Sequence, residues 1–259
     1  MVEVKRTVIG VLIVVVTIIG SFVAWSNHTC GGGLLRVKDT LCHLDGTMPA
    51  DSAMMAEIAV YRDSIRENMS EVLCESESVL DAIRPESGEM RVLSDAMFEE
   101  TRLYAKEHKL PEPDFAMVNV GGIRTILPQG KVTIGDVFQV APFENYAVVV
   151  EVDSAVIRSI MEHVRMRGGE ALSGCQVHLN RDSAWNVLIG GKPLEGGRKY
   201  HLATLDYLAD GGDSFELMVG LERYETNLLF REMLRCNFTK LGKRGGVLRD
   251  PKDRRIISE

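Results

Sequence analysis

The sequence is poor in the residue patterns that build metal centres and redox sites. Its five cysteines are far apart and form no Cys-x-x-Cys pair, so neither a zinc ribbon nor a redox dithiol is predicted. Its six histidines occur singly, and a lone histidine is more often a surface or core residue than a ligand. The cysteines are Cys30, Cys42, Cys74, Cys175 and Cys236. We expect free thiols that are buried or have no functional role, although one or two disulfides would suit an exported protein.

An excess of positive charge is also missing. The formal net charge of −7 argues against a general nucleic-acid-binding protein, so we expect no nucleic-acid partner. A hydrophobic fraction of 45% with 26% charged residues is ordinary for a globular chain. Its 259 residues can hold one substantial domain with extra segments.

One long apolar run, residues 8–25, follows Lys5 and Arg6 near the amino terminus. Its length is close to the roughly 20 residues of a membrane-spanning helix and exceeds the roughly 7 to 15 of a cleaved signal core. We therefore interpret residues 1–26 as an uncleaved membrane anchor. The alternatives are cleavage after Ser26 and lipid attachment at Cys30.

All three interpretations predict an exported protein, either anchored in a membrane and facing the periplasm or cell exterior, or cleaved and secreted. Residues 27–50 contain a run of glycines and no sustained period, which is typical of a tether. Residues 51–259 then form one predicted domain. Its basic end, from Lys240 onward, is interpreted as a solvated tail of mixed charge, with attraction to an anionic membrane as the alternative.

Helix and strand patterns are mixed in this domain without regular βαβ alternation, which predicts an α+β fold. A helix from Asp51 carries an apolar stripe that we expect to face the core. A second helix covers residues 89–108, with its acidic residues on a solvated face, and a third begins at Asp153 or Ser154. The first stripe consists of Met54, Met55, Ile58, Tyr61 and Ile65.

Strands are predicted over residues 115–118, 146–152, 174–179, 185–189 and 200–205. The fourth strand turns through Gly190-Gly191 into a hairpin. Residues 131–138 show the partial alternation of a further strand. The segment past Gly220 is interpreted as helical or irregular.

Two glycine blocks concentrate the polar and aromatic residues suited to a ligand. The first is Asn119-Val120-Gly121-Gly122-Ile123-Arg124, with Phe143 downstream, and the second runs from Asp206 to Phe215. Paired glycines allow a backbone to approach a ligand closely. Arginine donates to phosphate, carboxylate or hydroxyl groups, ionised aspartate accepts from a diol, and aromatic rings stack on a flat heterocycle.

These residues resemble the C-terminal substrate-binding domain of the 5′-nucleotidase family, over roughly residues 54–215. The resemblance rests on four motifs in the same order. They are Asn119-x-Gly121-Gly122-Ile123-Arg124, Gly135-Asp136-Val137-Phe138, Pro142-Phe143-x-Asn145 and Tyr207-Leu208-Ala209-x-Gly211-Gly212-Asp213-x-Phe215.

The resemblance implies a role for each candidate residue. Phe143 and Tyr207 would stack on the nucleobase, and Asp213 and Arg124 would contact ribose or phosphate. Asn119 and Gly121 would line the same site. The implied ligand is a nucleoside or a nucleoside monophosphate.

The sequence departs from the family in two ways. First, it has Met90-Arg91 where the family usually carries Gly-Asn. Second, no residue clearly matches the family's upstream arginine ligand: Arg84 lies only near that position, and Arg91 is the alternative. The metallophosphoesterase domain, which holds the family's two metals, has no counterpart in these motifs. We therefore expect no catalytic residue and no cofactor in this chain, with divalent metals only in a catalytic partner.

Three hypotheses remain open at this point. The chain could be the substrate-binding half of an extracytoplasmic 5′-nucleotidase that works with a separately encoded metallophosphoesterase subunit. It could instead be a standalone nucleotide-binding protein, or a degenerate interaction module that has lost its ligand.

Overall fold

The computed structural model describes residues 50–258. The predicted anchor and all but the last residue of the predicted tether lie outside the described residues. Within that range no helix has the length and apolarity needed to cross a membrane. The helices are α1 (Ser52–Met69), α2 (Gly88–His108), α3 (Ile134–Val140), α4 (Ser154–Met166), α5 (Asp206–Ala209) and α6 (Phe230–Lys243).

The strands form three mixed sheets, so the α+β prediction is confirmed. The strands are β1 (Val72–Ser76), β2 (Phe115–Val118), β3 (Gly130–Thr133), β4 (Tyr146–Asp153), β5 (Ala171–Ser173), β6 (Cys175–Leu179), β7 (Ala184–Ile189), β8 (Lys192–Pro193), β9 (Lys199–Leu205), β10 (Arg223–Leu229), β11 (Val247–Leu248) and β12 (Ile256–Ser258). The central sheet has the order β10-β4-β9-β2-β5, and the smaller sheets have the orders β11-β1-β3 and β12-β6-β7-β8.

Both faces of the central sheet are covered, which explains the continuous apolar runs of its middle strands. Along β2, Phe115 and Met117 point to one core cluster, whereas Ala116 and Val118 point to the other. Helices α2 and α6 cover the second cluster, and α4 covers the first. Burying each large apolar side chain contributes about 1.5 to 3 kcal/mol, so the two clusters hold the sheet between its helices.

Helix α1 begins close to its predicted start, but the prediction that its apolar stripe faces the core is wrong. No residue of α1 is buried, and Tyr61 and Ile65 are 68% and 53% exposed. Periodicity shows which side chains share a face of the helix. It does not show whether another part of the chain covers that face.

Residues 134–138 form helix α3 instead of the predicted strand. The Thr133 side chain accepts a hydrogen bond from the Asp136 amide, and Asp136 accepts one from the Thr133 amide. This reciprocal capping box favours a helix start over continued extension. The partial alternation of the apolar residues gave the wrong period.

The basic end of the chain is not a solvated tail. Strand β11 pairs with β1, and β12 pairs with β6, both in parallel. Between them Arg255 is 5% exposed, and its Nη2 lies 2.7 Å from Asp95 Oδ2. The apolar pairs of this segment are too short to produce a recognisable period in the sequence.

Glu100 also differs from the solvated face that was expected for α2. It is 8% exposed, and Lys240 Nζ lies 2.7 Å from its Oε2, so this ion pair joins α2 to α6. Among the described cysteines, Cys74 and Cys175 are buried thiols, in agreement with the expectation, and Cys236 is exposed. Burial raises the pKa of Cys74 to about 11 and that of Cys175 to about 12.

Candidate functional site

A cavity of about 210 Å³ opens at one edge of the central sheet. Because β2 and β9 are parallel and β4 is antiparallel to β9, the carboxyl ends of β2 and β9 meet the amino end of β4 at this edge. The two glycine blocks and the Pro-Phe motif adjoin these three strand ends. The cavity is lined by Asn119, Gly121, Gly122, Phe143, Asn145, Tyr207 and Asp213. All the predicted site residues except Arg124 therefore line one cavity.

The two aromatic side chains of the cavity are unusually accessible. Phe143 is 48% exposed and Tyr207 is 43% exposed. Aromatic rings in a core lose nearly all of their accessible surface, as the fully buried Phe115 and Phe215 do. Exposed rings beside a cavity are typical of a ligand contact rather than of core packing.

The second glycine block shapes the wall formed by Tyr207. A Cβ atom added at Gly212 would lie 2.5 Å from Tyr207 Cζ, a distance that side chains do not tolerate. Gly211 has a φ of 92°, in the region that glycine adopts without strain. The two glycines therefore let the chain turn directly against the tyrosine ring.

Asp213 is held in place by several donors. Asn119 Nδ2 and Arg167 Nη2 each lie 2.9 Å from Asp213 Oδ2. The Tyr207 hydroxyl donates to Oδ1 over a longer distance of 3.3 Å and accepts from the Asp213 amide at 3.2 Å. The Asp213 backbone has a φ of 54°, a left-handed conformation that is uncommon outside glycine and occurs often at functional sites.

A buried carboxylate, Glu170, joins the two glycine blocks from behind. Its Oε2 accepts from the Val120 amide at 2.6 Å, and its Oε1 lies 2.6 Å from Arg167 Nε and 2.8 Å from Arg84 Nη2. Arg167 in turn holds Asp213. The Glu170 side chain is completely buried, and the positive charges of these two arginines compensate its negative charge.

Arg124 lies at the rim rather than in the wall of the cavity. Its Cζ is 6.0 Å from the centroid of the Phe143 ring, and its Nη1 donates to the Gly121 carbonyl at 3.3 Å. The side chain is exposed, so the guanidinium can reach a ligand group that projects from the cavity. This placement suits an anionic group better than a base or sugar.

A known family profile covers both glycine blocks. The profile of the family "5′-nucleotidase, C-terminal domain" matches residues 77–220, which is more than half of the chain. The chain belongs to this family.

Individual relatives agree with the assignment to the 5′-nucleotidase C-terminal domain family. Protein UshA of Yersinia enterocolitica is 30% identical over 152 residues, which cover 55% of this chain and 28% of UshA. A 5′-nucleotidase of Vibrio vulnificus is 24% identical over 205 residues, covering 76% of this chain and 36% of the relative. The chain thus spans about a third of the length of these curated relatives.

A solved structure shows the same fold. The crystal structure of a 5′-nucleotidase precursor from Thermus thermophilus superposes with a TM-score of 0.69 at 22% identity, covering 81% of this chain and 44% of that one. At this level of identity the likeness establishes the fold of the 5′-nucleotidase C-terminal domain. The identity of the ligand has to be argued from the chemistry of the cavity.

The metal chemistry implied by the family has no ligand set in the described part of this 5′-nucleotidase domain. Among residues 50–258, no three His, Cys, Asp or Glu side chains come together in a group that could hold a metal ion.

The arginines near the cavity differ from the sequence interpretation. Arg91 lies 2.8 Å from Asp250 and 3.4 Å from Glu86, so it is engaged in ion pairs outside the lining of the cavity. Arg84 reaches Glu170 behind the first glycine block. The sequence analysis singled out neither Arg167 nor Glu170, because both lie outside the two glycine blocks. The available signal in the sequence was the position of Glu170, an acidic residue directly before the buried strand β5.

Proposed function

We propose that this chain binds a nucleoside or nucleoside monophosphate in the cavity between Phe143 and Tyr207. The observation that carries the proposal is the pairing of two exposed aromatic rings with the oriented carboxylate of Asp213. The rings provide faces for a flat heterocycle, and stacking of this kind contributes about 1 to 3 kcal/mol per base. The carboxylate provides acceptors for sugar hydroxyls.

Two oxygen atoms support the assignment of the ribose side to Asp213 and Asn119. Asp213 Oδ2 already has two close donors, whereas the long contact from Tyr207 is the one hydrogen bond to Oδ1 within residues 50–258. Asn119 Oδ1 is buried and has no hydrogen-bond partner within residues 50–258. An unpaired buried acceptor costs free energy, so a ligand hydroxyl that donates to it is favoured. The vicinal hydroxyls of ribose supply two such donors.

The 5′ substituent then points towards Arg124. Arginine is the residue best suited to phosphate because its guanidinium donates two parallel hydrogen bonds. Its position at the rim, 6.0 Å from the centroid of the Phe143 ring, suits a group attached at the 5′ carbon of the ribose. Asn119 and Gly121 line the sugar side of the same cavity.

The proposed biological role is substrate recognition in extracytoplasmic nucleotide hydrolysis. In this role a separately encoded metallophosphoesterase would hold the divalent metals and perform the hydrolysis. The N-terminal apolar segment would hold the protein at a membrane, facing the periplasm or cell exterior. A standalone nucleotide-binding protein would use the same cavity without such a partner.

Titration by calorimetry with adenosine, AMP and a pyrimidine nucleotide tests the binding proposal. Phe143→Ala and Tyr207→Ala should each weaken binding about 5- to 100-fold, the equivalent of one lost stacking contact. Tyr61→Ala is the matched control, because Tyr61 is an exposed aromatic that does not line the cavity. Unchanged affinity in both cavity variants would contradict the base sandwich. No thermal shift with any nucleotide would favour the degenerate module.

Hydrolysis distinguishes the half-enzyme from the standalone binder. AMP hydrolysis should be absent for the chain alone with divalent metal and should appear, or increase, when a candidate metallophosphoesterase is added. Robust hydrolysis by the chain alone would overturn the half-enzyme proposal. Binding without any stimulation would favour the standalone protein.

A further inference from the structure

Helix α1 presents apolar side chains that the rest of the described chain does not cover. Ile58, Tyr61 and Ile65 are 47%, 68% and 53% exposed, and no residue of the helix is buried. The helix also precedes residues 77–220, the range matched by the family profile. Its apolar face therefore needs an explanation separate from the nucleotide cavity.

The spacing of this face is that of a coiled-coil seam. Met54, Ile58, Tyr61 and Ile65 follow one another at intervals of four, three and four residues. These intervals place isoleucine at successive a positions and Met54 and Tyr61 at d positions of a heptad repeat. Met55, the remaining member of the stripe, lies beside the seam at position e and is 44% exposed. Isoleucine at position a is typical of two-stranded parallel coiled coils that have leucine at position d, where this chain has Met54 and Tyr61.

The charged residues beside the seam select a parallel arrangement. In this register Glu57 occupies position g of one heptad and Arg62 occupies position e of the next. In a parallel pair, a g residue faces the e residue five positions later on the other helix, so Glu57 would meet Arg62 of a second copy. The twofold symmetry of the pair forms this contact twice. Within its own helix Arg62 contacts only the adjacent Asp63, at 3.3 Å, and that exposed pair is easily exchanged.

We propose that α1 forms a parallel two-stranded coiled coil with α1 of a second copy of this chain. The helix has 18 residues, about two and a half heptads, which gives weak association in isolation. Attachment of the preceding segment to one membrane, as the sequence predicts, would raise the effective concentration of the two helices. The coiled coil would then act as a dimeric stalk for two nucleotide-binding domains.

Disulfide cross-linking of the full chain in detergent or lipid discs tests the proposal. The background carries Cys30→Ser, Cys42→Ser and Cys236→Ser, which leaves only the buried Cys74 and Cys175. Ile58→Cys, in the seam, should give several-fold more disulfide-linked dimer than Val60→Cys. Val60 is the matched control because it is 72% exposed and lies at position c, away from the seam. Equal cross-linking at the two positions, or none at either, would overturn the proposal.

A charge exchange then tests the predicted orientation. In the Ile58→Cys background, Glu57→Arg alone and Arg62→Glu alone should each lower the dimer yield several-fold, because each places like charges together. The double exchange should restore it, whereas Asp63→Arg, at outer position f, should have little effect. Thermal unfolding confirms that every variant is folded. A double exchange that remains as weak as the single ones would contradict the parallel arrangement.

Discussion

Asn119 Nδ2 lies 2.9 Å from Asp213 Oδ2, and this hydrogen bond joins segments that are 94 residues apart in the chain. One of the two glycine blocks supplies the donor and the other supplies the acceptor. The bond leaves Asn119 Oδ1 without a hydrogen-bond partner among residues 50–258, and it leaves Asp213 Oδ1 with the long contact from Tyr207. These two oxygen atoms are the acceptors that the proposed function assigns to the ribose hydroxyls.

Asp213→Asn should weaken the binding of adenosine about 10- to 100-fold, the usual effect of losing a hydrogen bond to a charged group. Asparagine tolerates the left-handed backbone of this position, so the fold should be retained. 2′,3′-Dideoxyadenosine lacks the two vicinal hydroxyls of the ribose. It should bind the original protein and the variant with similar, weak affinity. Calorimetry with the two ligands measures this. A full loss of affinity for dideoxyadenosine on substitution would show that Asp213 does not act through the ribose.

Glu170→Gln should destabilise the domain and weaken nucleotide binding together. The substitution removes a buried charge that is paired with Arg84 and Arg167, and breaking a fully buried pair costs about 3 to 5 kcal/mol. Both arginines are partly exposed, so we expect a smaller cost of about 1 to 3 kcal/mol. Urea unfolding measures the stability, and calorimetry at a temperature where the variant is folded measures the binding.

The control for this prediction is Glu162→Gln, which removes a surface carboxylate paired with Arg165 at 2.6 Å. Glu162 does not line the cavity. It should lower stability less and leave nucleotide affinity unchanged. Equal affinity of the original protein and Glu170→Gln would show that Glu170 does not position the site.

How much of this arrangement the sequence could predict depended on how local each signal was. For α4, the predicted start at Asp153 or Ser154 is present, since Asp153 Oδ1 accepts from the Ala155 and Val156 amides at 2.9 Å. For α1 an apolar stripe was assigned to the core, and the helix is exposed. A stripe specifies a face, whereas its partner is fixed by tertiary structure.

The site residues also differ in whether a local sequence pattern could predict them. The cavity walls at Phe143 and Tyr207 were predictable because each lies in a recognisable motif. Glu170 was not, since its role depends on contacts with Arg84 and the Val120 amide, 86 and 50 residues away. No short-range pattern encodes such contacts.

Stability should fall as pH rises because of Glu89. This side chain is fully buried, and burial, followed by the nearby Asp81, raises its pKa from 4.5 to about 8. Between these values the unfolded chain has released the proton while the folded chain retains it. The free energy of unfolding therefore falls with rising pH, by at most about 1.4 kcal/mol per pH unit. The contribution is complete below the unfolded pKa and is lost as pH rises towards the folded pKa.

Glu89→Gln should flatten this dependence, because the amide cannot ionise. Urea unfolding between about pH 5 and about pH 8 measures the slope. Glu107→Gln is the control, since Glu107 is an exposed carboxylate of the same helix. An unchanged slope in Glu89→Gln, or an equal change in Glu107→Gln, would assign the pH dependence to other groups.

A graded series of glycine substitutions should test how closely the main chain packs against the wall of the cavity. A Cβ at Gly212 would lie 2.5 Å from Tyr207 Cζ, and one at Gly122 would lie 3.0 Å from Asn119 Oδ1, whereas one at Gly196 meets nothing within 4 Å. None of these three glycines has a positive φ, so the alanine side chain itself is the cause of any effect. Because the added Cβ would also lie 2.4 Å from the Tyr207 carbonyl oxygen, Gly212→Ala should displace both the main chain and the ring of Tyr207, lower the stability of the domain and weaken nucleotide binding most. Gly122→Ala should have a smaller effect, and Gly196→Ala should bind normally. Calorimetry gives this order directly, and an affinity of Gly212→Ala equal to that of Gly196→Ala would show that the ring of Tyr207 does not contact the ligand.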